Sequence, residues 1–572
     1  MSKYLKLFEN HTQYEMFIGG GGNTPFVKPN VSYCVQENEV HYNPRTWADE
    51  YLTFVALEDG TFTFAPSGGN VISYSIDNGH TWSDLAADTN TPTVTRGNKV
   101  LWRGEMTPVD YRGVGTFSST GKFKAQGNIM SLLFGADFKG QTDLTGKSYA
   151  FYRLFSSNSN LVNVQNLSLP ATTLAESCYR EMFKGCTSLT RVPELPATTL
   201  ASNCYNGMFG GCTGLTTAPV LPVTTLANYC YDSMFSGCTS LVKAPTLPAT
   251  TLTEGCYQGM FDGTNVLPDC SNIDFTSNSV VSSGGLIGLF AGTKVTDSDL
   301  DRLLPKNTNG KYYLPVTTLA HSCYSSMFNG CTSLTTAPEL PATTLADSCY
   351  QQMFKGCTGL TTAPELPVTT LASSCYQSMF EGCTGLTTAP ELPATILADS
   401  CYTGMFEGCT GLTTAPTLSA TTLANHCYQG MFYGCTGLTT APELPVTTLA
   451  NYCYISMFGG CTSLTTAPEL PATTLTRWCY ASMFNGCTRL TKAPELPATT
   501  LTDSCYSGMF DGCRLLNYIK AMFTTEPSIS YTDSWVSGVA STGTFVKNVA
   551  ATWDVTGVNG IPEGWTPQTA TE

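Results

Sequence analysis

The sequence predicts an α/β repeat solenoid, with one helix and one short strand per 26-residue unit, preceded by an all-β domain. Three observations carry this prediction. A leucine that opens a near-identical segment recurs at Leu169, Leu195, Leu221 and Leu247, and again at Leu314, Leu340, Leu366, Leu392, Leu418, Leu444, Leu470 and Leu496, always 26 residues apart within a block. Each unit carries a run of apolar residues at helical spacing followed by a short Pro-terminated extended stretch. Residues 48–146 instead alternate apolar and polar letters between Gly and Asn turns, the pattern of strands.

Repetition overrides a domain count based on the 572-residue length, because an array grows without adding domains. Charged residues make up 12% of the chain, against about a quarter in an average soluble protein, and the formal net charge is −15. Phosphate binding needs a basic stripe, so this balance argues against a nucleic-acid partner. No apolar run approaches the roughly 18 residues of a membrane span. The opening "MSKYLKLFENHTQYEMFIGG" has no uninterrupted apolar stretch of the signal-peptide kind, which leads us to expect synthesis in the cytoplasm without the usual export route.

In chain order, residues 1–47 read as an amphipathic segment, then "GGGGN", then an extended Pro- and Asn-rich stretch, together an anchoring segment and tether that orders on docking. Residues 48–146 read as an all-β, sandwich-like domain. Residues 147–513 form the solenoid, with "LFSSNSNL" at 154–161 as a degenerate first copy and an enlarged degenerate unit at about 262–313 that spans the 67-residue gap between blocks. In the first clear unit a helix over Leu174–Lys184 puts Leu174, Ala175, Cys178, Tyr179, Met182 and Phe183 on one face. Thr173 with Glu176 reads as its capping box and Gly185 as its left-handed terminus. Leu189, Val192 and Leu195 pin the strand, which Pro193 keeps short. One such unit cannot bury its own apolar face, but stacked neighbours can, and twelve layers at about 4.8 Å make a rod roughly 60 Å long. Residues 514–572, with Trp535, Trp553 and Trp565, read as the C-terminal cap over the exposed end of the core.

Of 25 cysteines, 23 fall in two columns of the repeat, Cys178 and Cys186 in the first unit, with Thr264 replacing the second in the fourth. Zinc sites use closer spacings such as C-x2-C and usually histidine, whereas the spacing here is C-x7-C and the chain has five histidines. Disulfides suit an exported protein, and Thr264 would strand a partner. The remaining reading, which the sequence favours, is two ladders of free thiols packed as small hydrophobes. No metal or other cofactor is expected.

The motif "MFxGCTxLTxAPxLP" resembles the leucine-rich repeat of the BspA type, frequent on Bacteroides and Trichomonas surface proteins. That resemblance covers roughly residues 150–520 and implies a leucine-rich repeat solenoid used for adhesion or partner binding. The units here are longer and carry cysteine at Cys178 where that family usually has isoleucine. The segment "KYLKLFENHTQYEMF" with "KPNVSYCVQENEVHYNP" resembles the N-termini of virion proteins of Bacteroides phages and prophages, which implies docking to other virion proteins. Within the β domain, Ser75, Asp77, Gly79 and Trp82 match the Asp-box of sialidase propellers, where the motif builds a hairpin away from catalysis.

The units vary most in one column of expected exposed positions: Ser177, Asn203, Tyr229, Gly255, Ser322, Ser348, Ser374, Ser400, His426, Tyr452, Trp478 and Ser504. His426, Tyr452 and Trp478 are consecutive, and Tyr433 lies seven residues after His426, on the same face of the expected helix. These four, with Tyr229, are the candidate ligand-binding residues, suited to sugar or protein recognition. Glu194, Glu339, Glu365, Glu391, Glu443, Glu469 and Glu495 form an acidic column best read as a solvated stripe. Asp297, Asp299 and Asp301 begin like a calcium loop, but Arg302 and Thr308 occupy its glycine and glutamate positions. No Ser-His-Asp, Cys-His or paired-carboxylate arrangement stands at meaningful spacing, so no catalytic residue is expected. The sequence thus points to a non-enzymatic phage virion protein whose solenoid meets a host-surface glycan or protein. A Bacteroides surface adhesin is the alternative and a glycan-active enzyme the third reading. Homo-oligomerisation is left open.

Overall fold

The computed structural model describes residues 3–9, 12–18, 27–29, 33–36, 39–42, 46–249, 252–266, 284 and 286–570. In the N-terminal segment Lys3–Glu9, Thr12–Ile18 and Val27–Pro29 form an antiparallel sheet, and Tyr33–Gln36 pairs with Glu39–Tyr42. The glycine stretch at 19–22, on which the tether reading rests, lies outside the described residues.

Each 26-residue unit is one coil of a β-solenoid, and the expected helix is absent. Three short α-helices, Ser131–Phe134, Leu300–Leu303 and Ile529–Thr532, are the ones among the described residues, and the clear units hold none. The stretch Ala175–Cys186 is instead a chain of tandem β-turns. Every second amide bonds back three residues, as in Cys178 to Ala175, Arg180 to Ser177, Met182 to Tyr179 and Lys184 to Glu181, at 3.1–3.3 Å. The intervening amides cross to the next coil, from Ser177 to Ser202, Tyr179 to Cys204, Glu181 to Asn206, Phe183 to Met208 and Gly185 to Gly210, at 2.7–3.0 Å. Each coil thereby satisfies its own turn and its neighbour's carbonyls, and no amide is left to a helical ladder.

The turns repeat every four residues, with positive φ at Ser177 (53°), Glu181 (53°) and Gly185 (74°). That conformation is why Gly207, Gly259, Gly404, Gly430 and Gly508 recur in the second of these columns. Thr173 is a bridge residue paired in parallel with Asp143 and Thr199, not a helix cap. Gly185 has the left-handed conformation expected of it, but at a turn corner. Parallel bridges join the other sides of the coils, among them Thr336 to Thr362, Thr388, Thr414, Thr440 and Thr466 in succession.

The turn period also fixes what faces inward. Cys178, Tyr179, Met182, Phe183 and Cys186 are fully buried, and their equivalents stack coil on coil. The tyrosine rings lie 5.8–6.1 Å apart. The phenylalanine rings lie 5.5–5.8 Å apart. The 23 repeat cysteines are buried, and the 22 other than Cys256 are free thiols. Those of the second column have a directional role: Cys186 Sγ donates to the Phe155 carbonyl, Cys212 to Phe183 and Cys435 to Phe406, at 3.0–3.1 Å. Each of these bonds reaches the preceding coil; where the column loses cysteine, Thr264 and Thr293 donate within their own coil, to the Phe261 and Phe290 carbonyls three residues back. Burial pushes the Cys178, Cys186 and Cys409 thiols up to about 12.

Residues 46–135 close one end of this core. Phe123–Asn128 pairs in parallel with Leu161–Asn163 and Leu167–Ser168, and antiparallel with Leu52–Ala56. Lys99–Gly104, Ile72–Ser75 and Ser83–Leu85 extend that sheet, and Gly115–Ser119 pairs with Phe62–Pro66 in a ribbon beside it. Phe54, Phe117 and Phe155 join the two regions through ring contacts of 4.9–5.8 Å. In the Asp-box hairpin Asp77 accepts from Ser75 Oγ, the Thr81 amide and Thr81 Oγ1, which holds its carboxyl well below the usual range.

At the other end Lys492–Leu496, Tyr518–Ala521, Thr544–Lys547 and Thr566–Thr569 form a parallel sheet that continues the coil direction. Trp535, Trp553 and Trp565 are buried beneath it, and their indole N–H groups donate to the carbonyls of Gly560, Phe523 and Ala540. Each ring therefore covers core without leaving a buried donor unpaired.

Candidate ligand-binding ledge

The variable column is the first positive-φ corner of each coil. Glycine, asparagine and histidine tolerate that corner better than other residues, and bulky side chains such as Tyr and Trp are opposed by it. His426 (56°), Tyr452 (58°) and Trp478 (55°) adopt it in three successive coils. A left-handed conformation costs a bulky residue on the order of 1 kcal/mol or more, and such costs collect at functional sites.

The three rings form one stack, half-buried, on the outer side of the turns. His426 and Tyr452 lie 4.5 Å apart and nearly parallel at 8°; Tyr452 and Trp478 lie 6.3 Å apart at 16°. Gln429 Oε1 holds His426 Nδ1 at 2.7 Å, which fixes the first ring. The Arg477 guanidinium sits 5.9 Å from the Tyr452 centroid, and its Nε binds Asp503 Oδ2 at 2.7 Å.

A polar rail runs beside the stack, and sequence reasoning did not single it out. Asp399 Oδ1 accepts the Asn425 amide, Asn425 Oδ1 that of Asn451, and Asn451 Oδ1 that of Arg477, at 3.1–3.2 Å. The signal was present in the pairs Asn-His, Asn-Tyr and Arg-Trp, because the residue before each aromatic occupies one column of its own. Together, rings and rail place flat apolar surface next to amide and guanidinium groups.

Two of the expected site residues lie elsewhere. With no helix, Tyr433 does not share a face with His426: it stands at a later turn, exposed, its ring where a Cβ on Gly459 would come within 2.8 Å. Tyr229 occupies the same column as the ledge, but its successor is Gly255, and a Cβ there would lie 2.3 Å from the Tyr229 ring. Its hydroxyl donates to Glu254 Oε1 at 2.7 Å, so the ring is folded down onto the next coil.

The other polar features serve the fold. The acidic column ends at Lys311, 3.0 Å from Glu339, and at Lys520, 2.9 Å from Glu495. Asp297 binds the Thr335 and Thr336 amides, Asp299 the Thr296 amide and hydroxyl, and Asp301 pairs with Lys306.

No protein-family model and no curated protein matches the chain. Two solved structures are similar to it. One is a leucine-rich repeat protein from Eubacterium ventriosum, 15% identical over 63% of this chain and 93% of that one, with a TM-score of 0.31. The other is a chain of the TLR13–ssRNA13 complex, 12% identical over 72% of this chain and 53% of that one, with a TM-score of 0.17. The solenoid assignment rests on the coil-to-coil hydrogen bonds and bridges rather than on either likeness.

Proposed function

We propose that this chain is a non-enzymatic phage virion protein, anchored to the particle through residues 1–47, whose solenoid attaches to a glycan or protein on the host surface. The observation that carries the binding role is the ledge: three aromatic residues in successive coils, two of them, Tyr452 and Trp478, in a conformation that disfavours bulky side chains, held in one stack on a serine-rich column. The absence of catalysis is supported by the chemistry of the array. Its thiols are buried and held neutral, and His426 is oriented by an amide rather than a carboxylate. Placement on a virion rests on the resemblance of the N-terminal segment.

Mass spectrometry of purified virions from the source strain tests the reading. The chain is expected among the particle proteins, and recovery only from the cell envelope would overturn the virion assignment in favour of a surface adhesin. Deleting residues 1–45 should leave the solenoid folded and abolish incorporation into particles; unchanged incorporation would remove the anchoring role.

A further inference from the structure

The stack is closed on one side and open on the other. Tyr452 covers one face of Trp478. On the opposite side the next residue of the column is Ser504, small and nearly buried. The coil beyond departs from the repeat. Ser504 donates its amide to Ser530, and Tyr506 donates to Tyr531, so two acceptors that stand two residues apart elsewhere are adjacent here. Ser530, 26 residues after Ser504, takes the column's corner position, and the chain turns there into the short helix Ile529–Thr532. This brings Ile529, 69% exposed, next to the acceptor of Ser504.

Among the described residues the only ring against Trp478 is Tyr452, so the position over Ser504, the slot between Trp478 and the coil that carries Ile529, holds no partner ring. The phenylalanine column beneath it gives a coil spacing of 5.8 Å from Phe484 to Phe510. A ring held between two walls needs about 7–8 Å, twice the usual carbon contact distance. Two spacings provide that. Arg477 and Asp503, the residues before Trp478 and Ser504, pair through the Arg477 Nε, which leaves the terminal N–H groups of Arg477 outside that ion pair.

We propose that this slot is a carbohydrate subsite, in which a pyranose lays its C–H face on Trp478 and turns its hydroxyls to Arg477 and Asp503. This rests on the attachment reading above and narrows its ligand to a glycan. A pyranose presents one apolar face and a rim of hydroxyls, the complement of an aromatic ring bordered by a guanidinium and a carboxylate. A protein anchor calls for a deeper apolar pocket enclosed on all sides, and Ser504, Arg477 and Asp503 make this one polar at its floor and rim.

The test uses the full chain and a panel of methyl pyranosides and oligosaccharides built from glucose, galactose, mannose, fucose and N-acetylglucosamine, with binding followed by titration calorimetry or ligand-observed NMR. At least one sugar should bind the parent. Trp478→Ala should weaken it by at least tenfold. Ser504→Tyr, which extends the stack by one ring and fills the slot, should do the same, whereas Ser374→Tyr, at the same corner two coils before His426, should leave it unchanged. Melting curves check that each variant folds. No binding of any panel sugar by the parent, or undiminished binding by folded Ser504→Tyr, overturns the subsite. Host-cell binding by the same variants separates the two readings: cells that still capture Trp478→Ala and Ser504→Tyr remove the subsite and leave attachment through another surface intact.

Discussion

Two ladders of aromatic rings run along this solenoid, and they obey opposite rules. The inner one repeats tyrosine and phenylalanine in every clear coil, fully buried, at nearly constant spacing. The outer one stacks over three successive coils, half-exposed, on corners whose positive φ Tyr149 and Tyr229 share singly. Repetition marks what holds the coils together, because each neighbour must receive the same ring in the same place. Departure from repetition, at a conformational cost, marks what the coils display.

Five experiments sharpen this contrast, and alkaline unfolding should show the largest effect. Burial raises the folded thiols, with Cys256 and Cys505 at about 11 and Cys178 and Cys186 at about 12, above an unfolded value near 8.5. A raised folded pKa contributes stability that is complete below the unfolded value and is lost as pH rises toward the folded one. Each thiol should therefore remove about 1.4 kcal/mol per pH unit between about 8.5 and 11. With thiols in every coil, the midpoint of a denaturant titration should fall steeply across that range while remaining flat between pH 6 and 8. A flat profile to pH 10.5 would show that the cysteine columns are hydrated.

Truncating the inner ladder comes next. Phe432→Ala should cost about 3–5 kcal/mol, since its ring stacks on Phe406 and Phe458 with no solvent to refill the cavity. In an array this should appear as a separate early transition confined to neighbouring coils, read by hydrogen exchange. Gly434→Ala should follow at about 1 kcal/mol or more. A Cβ there would sit 3.8 Å from Gly408, an ordinary contact, so the loss comes from φ of 71° rather than from crowding.

The hydrogen bond inside the core gives a finer discrimination. Cys435→Val removes the donor to Phe406, which should cost about 1 kcal/mol. Cys435→Thr should cost less, because a hydroxyl at that column stays hydrogen-bonded, as Thr264 and Thr293 do to the phenylalanine carbonyl of their own coil. Equal losses for the two variants would mean that the thiols act by volume alone.

These contrasts also explain how far the sequence could be read. The period, the inward columns and the cysteine ladders are legible because each is repeated and each obeys burial. The helix expected over Leu174–Lys184 rests on a spacing of four: Leu174, Cys178 and Met182, with Ala175, Tyr179 and Phe183. Over so short a stretch a four-residue turn period and a 3.6-residue helical one place nearly the same residues inward. The discriminating signal was glycine at Gly207, Gly259, Gly404, Gly430 and Gly508, in what would have been a helix interior, where it is disfavoured. At the candidate site the aromatic column was visible, but its backbone strain, the rail of Asn425 and Asn451 and the slot over Ser504 depend on hydrogen bonds between coils. Tyr433 was misplaced with the helix.

The smallest effect on stability and the sharpest on binding should come from the outer ladder itself. Tyr452→Ser with Trp478→Ser restores the residue that Ser374, Ser400 and Ser504 carry at the same corner, each with positive φ. Losing two stacked ring contacts costs roughly 0.5–1.5 kcal/mol each, and relieving two bulky left-handed residues returns a similar amount. The double variant should therefore melt within a few degrees of the parent. Binding has no such compensation, because nothing else in the stack replaces the lost rings, and affinity for host cells should fall by roughly 2 kcal/mol or more. The inner ladder predicts the reverse pattern, a large loss of stability without a specific loss of binding. A double variant that melts like the parent and still binds host cells with full affinity would break the contrast at its outer end, leaving a stack of three aromatic residues, two of them in a strained conformation, without a use for it.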